Sequence, residues 1–226
     1  MTERLNKQLA VQLGISRREA DNLIAAKHVR VNGELAVLGS RFETGDTISV
    51  KGKPLTDHVD FSYVALHKPA GYVSSRKQQG EHPTLFELLP KDLHHLKPVG
   101  RLDKDSSGLI ILSNDGDFHF QMTHPKFHKT KQYEVTLSEP LQPLHQQIIV
   151  DHGIQLEDGP SQLILEKMND DRTEWRVVMH EGRNRQIRRT FAALGYTVTN
   201  LHRTHFGHYE LGNLASGDHR VVKKDR

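Results

Sequence analysis

The sequence predicts an α+β protein in two parts, a small helix–helix–hairpin module followed by a larger mixed-sheet domain. Three observations carry this. Apolar residues near the N-terminus recur at helical spacing. Short segments of strand character and helical segments are interspersed from about Phe61 onward. Those segments follow no strict strand–helix–strand rhythm, which favours α+β over a doubly wound parallel sheet.

The module spans residues 1–50. Leu5, Leu9 and Leu13 suggest a first amphipathic helix, and Gly14 closes it, because glycine accepts the left-handed conformation that ends many helices. Ser16-x-x-Glu19 has the form of a capping box ahead of Ala20, Leu23 and Ile24, which marks a second helix. Val29-Arg-Val31 then alternates. Asn32-Gly33 is a hairpin turn signal, since both residues tolerate positive φ. Thr47–Val50 is the closing strand. Residues 51–60, with Gly52, Pro54 and several charges, read as a linker. In the domain 61–226, strands are expected at Tyr63–Leu66, Leu109–Leu112, Tyr133–Leu137 and Trp175–Met179, with a helix at Arg185–Leu194.

Composition narrows the function classes. No apolar run is long enough to span a bilayer, and the charged opening Met-Thr-Glu-Arg-Leu-Asn-Lys leads us to expect no signal peptide. With no cysteine there is no disulfide framework and no thiolate zinc site. A cytoplasmic monomer without a membrane association is the expectation. The net charge of +3 is small but unevenly placed: Glu181–Phe206 holds five arginines and one acid. Such a field attracts phosphate backbones, although a solvated helix face accounts for the charge equally well. Arg17 and Arg18 open the second helix, where its dipole disfavours cations, and Lys27 and Arg30 follow near its end. An RNA phosphate drawn to that helix end would explain the mismatch.

One carboxylate stands out. Asp103 lies in Gly100-Arg-Leu-Asp103, a glycine-flanked loop just before the buried strand candidate, and Arg101 is near enough in sequence to favour its ionised form. From four letters alone, an aspartate capping a turn is the better reading. The longer string Gly100-Arg-Leu-Asp-Lys-Asp-Ser-Ser-Gly-Leu-Ile-Ile-Leu-Ser-Asn-Asp-Gly116 shifts the balance. It resembles the signature of the RsuA family of pseudouridine synthases. His67-Lys68-Pro-Ala-Gly71, Lys131-Gln-Tyr133-Glu-Val, Glu181-Gly-Arg183-Asn-Arg185-Gln-Ile187-Arg188-Arg189 and Leu211–Arg220 match further blocks in the family's order. The first fifty residues, with Ser-Arg-Arg-Glu-Ala and Val-Arg-Val-Asn-Gly, resemble an S4 RNA-binding domain.

The resemblance implies a specific site. Asp103 would act at the ribose C1′ or C2′ of a uridine. Tyr133 would stack on the uracil and be available to assist proton transfer at C5. Arg188 would pair with Asp103 and keep it ionised, Ile187 would pack beneath the base, and Arg101 would help hold the target out of its helix. Taken singly, Tyr133 and Ile187 read as core and Arg188 as a surface cation; only the joint pattern gives them these roles. Lys68, Arg183, Arg185, Arg189, Arg17, Arg18, Lys27 and Arg30 are candidate RNA contacts. The partner would be ribosomal RNA or a pre-ribosomal particle, with the large subunit slightly favoured by the Glu181–Arg189 string. Isomerising uridine involves no net redox or hydrolysis, so neither a cofactor nor a metal is expected. A non-catalytic S4-containing RNA-binding factor is the competing reading.

The sixteen histidines invite a metal reading. On a strand, His202 and His208 share a face that His205 does not, and Pro125 interrupts a helix carrying His124 and His128. A metal site is therefore not expected, and solvent- or RNA-facing histidine is.

Overall fold

The computed structural model describes residues 2–55, 60–76 and 78–224. Its chain packs as two units, Met1–Ser62 with Asn114–Gly116, and Tyr63–Ser113 with Asp117–Arg226. Asn114 belongs with the first because its side chain accepts from Ser62 N and donates to Asp60 O.

In the first unit, helix α1 (Leu5–Gln12) buries Leu5 and Leu9 completely. Leu13 instead caps the helix, half out of the core, and Gly14 follows at φ +67. Helix α2 (Arg17–Ala25) has the capping box complete: Glu19 N donates to Ser16 Oγ, and Ser16 N donates to the Glu19 carboxylate. Strands β1 (Val29–Val31) and β2 (Glu34–Leu35) meet at Asn32-Gly33, both at positive φ, and β3 (Ile48–Val50) pairs on the other side of β1. The expected linker is ordered structure in its first half. Lys51 and Gly52, at φ +50 and +78, form a tight turn into β4 (Lys53–Pro54), which pairs with β3, and Leu55 packs on the core. The Lys-Gly pair, a charged connector by composition, is a hairpin turn. Residues 56–59 of that segment lie outside the described residues.

The second unit is built on one mixed sheet. Its strands are β5 (Tyr63–Lys68), β6 (Lys97–Val99), β7 (Ser107–Ser113), β8 (Lys131–Leu137), β9 (Ile164–Lys167), β10 (Glu174–Met179), β11 (Val198–Phe206), β12 (Tyr209–Glu210) and β13 (His219–Val221). The order is β9-β10-β8-β11-β7-β5-β13, with β12 on β11 and β6 on β7. Neighbours are antiparallel except β11 and β7, which run parallel through His202–Ser107 and Arg203–Gly108.

Apolar packing covers both faces of this sheet, which explains the unbroken Leu109–Leu112 run. Ile110 and Leu112 join Val64, Leu66, Tyr133 and Ile187 on one side, while Leu109 and Ile111 join Tyr63 and Phe118 on the other. Helix α3 (Gly116–Thr123) follows β7, and α4 (Gln186–Ala192) carries Ile187 into the first of these cores.

Candidate active site

The Asp103 loop runs from β6 to β7 and is held at several points. Gly100 opens it at φ +72, a region that favours glycine. Ser74 Oγ donates to Leu102 O at 2.7 Å and accepts from Leu102 N at 3.2 Å. Gly71 N donates to Lys104 O at 2.7 Å. Lys68 Nζ donates to Ser106 O at 2.7 Å and to Pro69 O at 2.9 Å. The loop leads into Gly108, where an added Cβ would lie 2.2 Å from Arg203 O, so only glycine lets β11 pair this closely with β7.

Lys68 therefore departs from its expected part as an RNA contact. It is completely buried, and burial pulls its ammonium down to about 8 against the opposing pull of Asp105 and Asp103. A buried ammonium needs acceptors, and the carbonyls of Ser106 and Pro69 supply them. Its place is beneath the loop, away from solvent.

The arginines sort themselves differently from the sequence reading. Arg188 does not pair with Asp103. Its Nε lies 3.3 Å from the Asp105 carboxylate, and it donates to Asp105 O at 2.9 Å and Val198 O at 2.7 Å. The cation beside Asp103 is Arg185, at 3.6 Å, which also forks onto Asp105 at 3.0 and 3.1 Å. Arg185 reaches there from a left-handed backbone (φ +47) at the start of α4, a conformation that spacing does not reveal. Burial pushes the Asp105 carboxyl up, but the Arg185 hydrogen bonds and the charges of Arg188 and Arg185 outweigh it and hold it below the usual range.

Arg183 and Arg189, expected on the RNA backbone, both bind Asp158. Arg183 also donates to Gly159 O and Pro160 O, and Arg189 to Asn184 O. Much of the basic field in Glu181–Phe206 is thus neutralised within the protein. Arg101 stays exposed at the rim of the site. In the N-terminal unit, Arg17, Arg18, Lys27 and Arg30 are all exposed.

Asp103 opens onto a cleft of about 370 Å³ lined by Arg101, Tyr133, Ile187, Leu201, Arg203 and Phe206 among others. The floor comes from β8 and β11, and a β-bulge shapes it. Tyr133 faces Arg203 and Lys131 faces Phe206, with Thr204 the extra residue in β11. Residues three apart on a regular strand point to opposite faces. The bulge puts Arg203 and Phe206 on the same one, with the guanidinium 4.8 Å from the ring centroid. Ser74, Lys131, Arg203 and Gln186 belong to the site, and sequence reading does not single them out. A bulge leaves no mark in spacing, and Ser74 is an ordinary loop serine until the loop it clasps is known. Gln186, almost wholly buried, ties the Glu181 carboxylate and Ser161 Oγ to the start of α4.

The histidines show no convergence. His67 and His202 stack edge to face at 5.2 Å, with His67 Nδ1 on Leu214 O and His202 Nδ1 on Ser107 Oγ. Among the described residues no group of three or more His, Asp or Glu is placed to hold a metal ion.

An aspartate on a clasped loop, beside an arginine and above an aromatic floor, places a carboxylate and a flat apolar surface in one cleft. Comparison with known proteins decides the family. The model for RNA pseudouridylate synthase matches residues 62–193, and that for the S4 domain matches residues 3–48. The chain belongs to the RNA pseudouridylate synthase family. Ribosomal small subunit pseudouridine synthase A of Pasteurella multocida is 36% identical, over 98% of this chain and 97% of that protein. Ribosomal large subunit pseudouridine synthase B of Bacillus subtilis is 34% identical, over 97% and 92%. A solved pseudouridylate synthase superposes with a TM-score of 0.70 at 32% identity, covering 97% of this chain and 96% of that one. This is an RNA pseudouridine synthase with an N-terminal S4 domain, and the mixed sheet described above is its catalytic fold.

Proposed function

We propose that this pseudouridine synthase acts on ribosomal RNA, using Asp103 as its essential carboxylate on a uridine turned out of the RNA. The observation that carries the reading is the position of Asp103, clasped by Ser74 and Lys68, 3.6 Å from Arg185 and on the same cleft as Tyr133 and Ile187. The reaction breaks the C1′–N1 bond, turns the uracil and joins C1′ to C5. Asp103 acts at the sugar, and Tyr133 and Ile187 retain the freed ring. Arg185 places a positive charge 3.6 Å from Asp103, and Arg188 stands one step back on Asp105. Extruding a nucleotide costs a few kcal/mol, which stacking and pocket contacts offset.

The relatives' names divide between the two ribosomal subunits. The Glu181–Arg189 string leans to the large one, and the target is proposed there. Mapping pseudouridines in both rRNAs with and without the gene tests this: one large-subunit position should lose its modification. A position lost from the small subunit overturns the subunit assignment, and no loss from either overturns ribosomal RNA as substrate. Asp103→Asn should form no pseudouridine while RNA affinity stays within about threefold, because Asn keeps the shape and loses only the charge. Full activity in that variant would end the role given to Asp103.

A further inference from the structure

Two cations on the cleft floor have no acidic side chain within ion-pair distance among the described residues. Arg203 is 2% exposed; its Nε donates to Leu109 O at 2.8 Å, and its Nη2 is covered and without a hydrogen-bond partner. Lys131, opposite Phe206 and two residues before Tyr133 on the same strand face, lines the cleft. Its ammonium makes long hydrogen bonds to the carbonyls of Lys129 and Glu181, at 3.3 and 3.2 Å, and lies 5.4 Å from the centroid of the Phe206 ring. Burial, then the nearby Arg203 charge, pull Lys131 down to about 8, with Glu181 opposing. Two largely desolvated like charges beside one aromatic ring are costly unless an anion joins them. The bulge at Thr204 aims Arg203 at this floor rather than at the opposite face of the sheet.

Charge balance in the reaction identifies the anion. When C1′–N1 breaks, both bonding electrons stay with N1, and the uracil departs as an anion whose charge spreads to O2 and O4. As C5 joins C1′, the C5 proton is lost and N1 takes one up, so the balance closes without a co-reactant. We propose that Lys131 and Arg203 form the site that holds the negative charge of the detached uracil, Lys131 donating to a ring carbonyl oxygen and Arg203 fixing the positive potential behind it. Donors arranged in advance where charge develops act on the transition state and need no reorganisation. The inference rests on the pseudouridine-forming reaction and goes beyond it by naming the leaving-group site.

The test measures single-turnover rates of C1′–N1 cleavage at saturating enzyme, together with RNA dissociation constants, for RNA carrying uridine or 5-fluorouridine at the target. Cleavage is read as loss of the N1-linked nucleoside, because fluorine leaves C5 no proton to give up. The electron-withdrawing fluorine makes the ring a better leaving group, so breakage of C1′–N1 depends less on help from the protein. Lys131→Met should slow turnover of the uridine substrate by about 10²–10³-fold, the scale for losing one such donor. Its RNA affinity should stay within about threefold, and the deficit should shrink for 5-fluorouridine. Lys131→Arg should restore most of the rate and extend activity above the pH of about 8 at which Lys131 loses its proton. The charged or titratable groups lining the cleft with Lys131 are Arg101, Asp103, His124, Lys129, Tyr133, His180, Glu181, Arg183, Arg185 and Arg203, and the Lys131→Arg comparison isolates Lys131 from them. Arg203→Lys, checked for folding by its thermal melt, should repeat the pattern more mildly.

An unchanged saturating rate in Lys131→Met overturns the proposal. So does a deficit that appears as weaker RNA binding and is equal for both substrates, since the pair would then serve an RNA phosphate. If the wild-type protein forms no pseudouridine while Asp103→Asn behaves identically, the underlying reaction fails instead.

Discussion

Ser74 makes two hydrogen bonds to one residue of the Asp103 loop, and Lys68 makes one to Ser106 O at that loop's end and one to its own neighbour Pro69. The three bonds to the loop need not touch RNA, yet each bears on where the carboxylate sits. Ser74→Ala leaves Leu102 N and O without that partner, which costs about 1–3 kcal/mol where water cannot enter. Its expected signature is a kcat lowered by about 10–100-fold, as small displacements of a reacting group allow, with RNA affinity unchanged. A gel-shift titration beside a pseudouridine assay separates the two. Lys68 illustrates the limit of reading charge from sequence. A lysine beside a proline and a glycine looks like an exposed phosphate ligand, and only the packing of β5 under the loop shows that it is buried.

Among the elements, the parallel contact of β7 with β11 is the tightest joint. An alanine at Gly108 would place its Cβ 2.2 Å from Arg203 O at a φ of +109, where backbone rather than a flexible side chain would have to give. Gly108→Ala should lower unfolding free energy by at least about 3 kcal/mol in urea titration, and activity should fall with it. The local elements were legible for local reasons: the Ser16–Glu19 box, the Asn32-Gly33 turn and the alternation of β8 each lie within a few residues. What escaped depended on neighbours distant in sequence. β9 is a four-residue edge strand with little buried surface, and β13 pairs with β5 from the other end of the domain's sequence. The choice of Arg185 over Arg188 for Asp103 turned on one left-handed residue at the start of α4.

For the whole molecule, the cations available to RNA are fewer than composition suggests. Arg183, Arg185, Arg188 and Arg189 are bound to Asp158 or Asp105. Arg17, Arg18, Lys27 and Arg30 in the S4 domain remain exposed. RNA affinity should therefore depend on salt through these S4 cations more than through Arg183, Arg185, Arg188 and Arg189. Replacing Arg17 and Arg18 by alanine should lower the slope of log K against log salt by about one for each phosphate left without its arginine. The turnover rate at saturating RNA should be unaffected. A slope unchanged from wild type would place the phosphate-binding cations elsewhere.

The joint between β7 and β11 also sets the order in which the enzyme can come into being. Ser107 and His202, bonded across it, are 95 residues apart in the chain. A parallel contact over such a separation closes a long loop before it gains any partner, which makes it slow to form. Asp103 leaves the ribosome a hundred residues before Arg203. A nascent chain can therefore hold its carboxylate loop and still have no cleft. The floor that would receive a base is assembled after that loop, so a copy stopped short of Arg203 has nowhere to hold one.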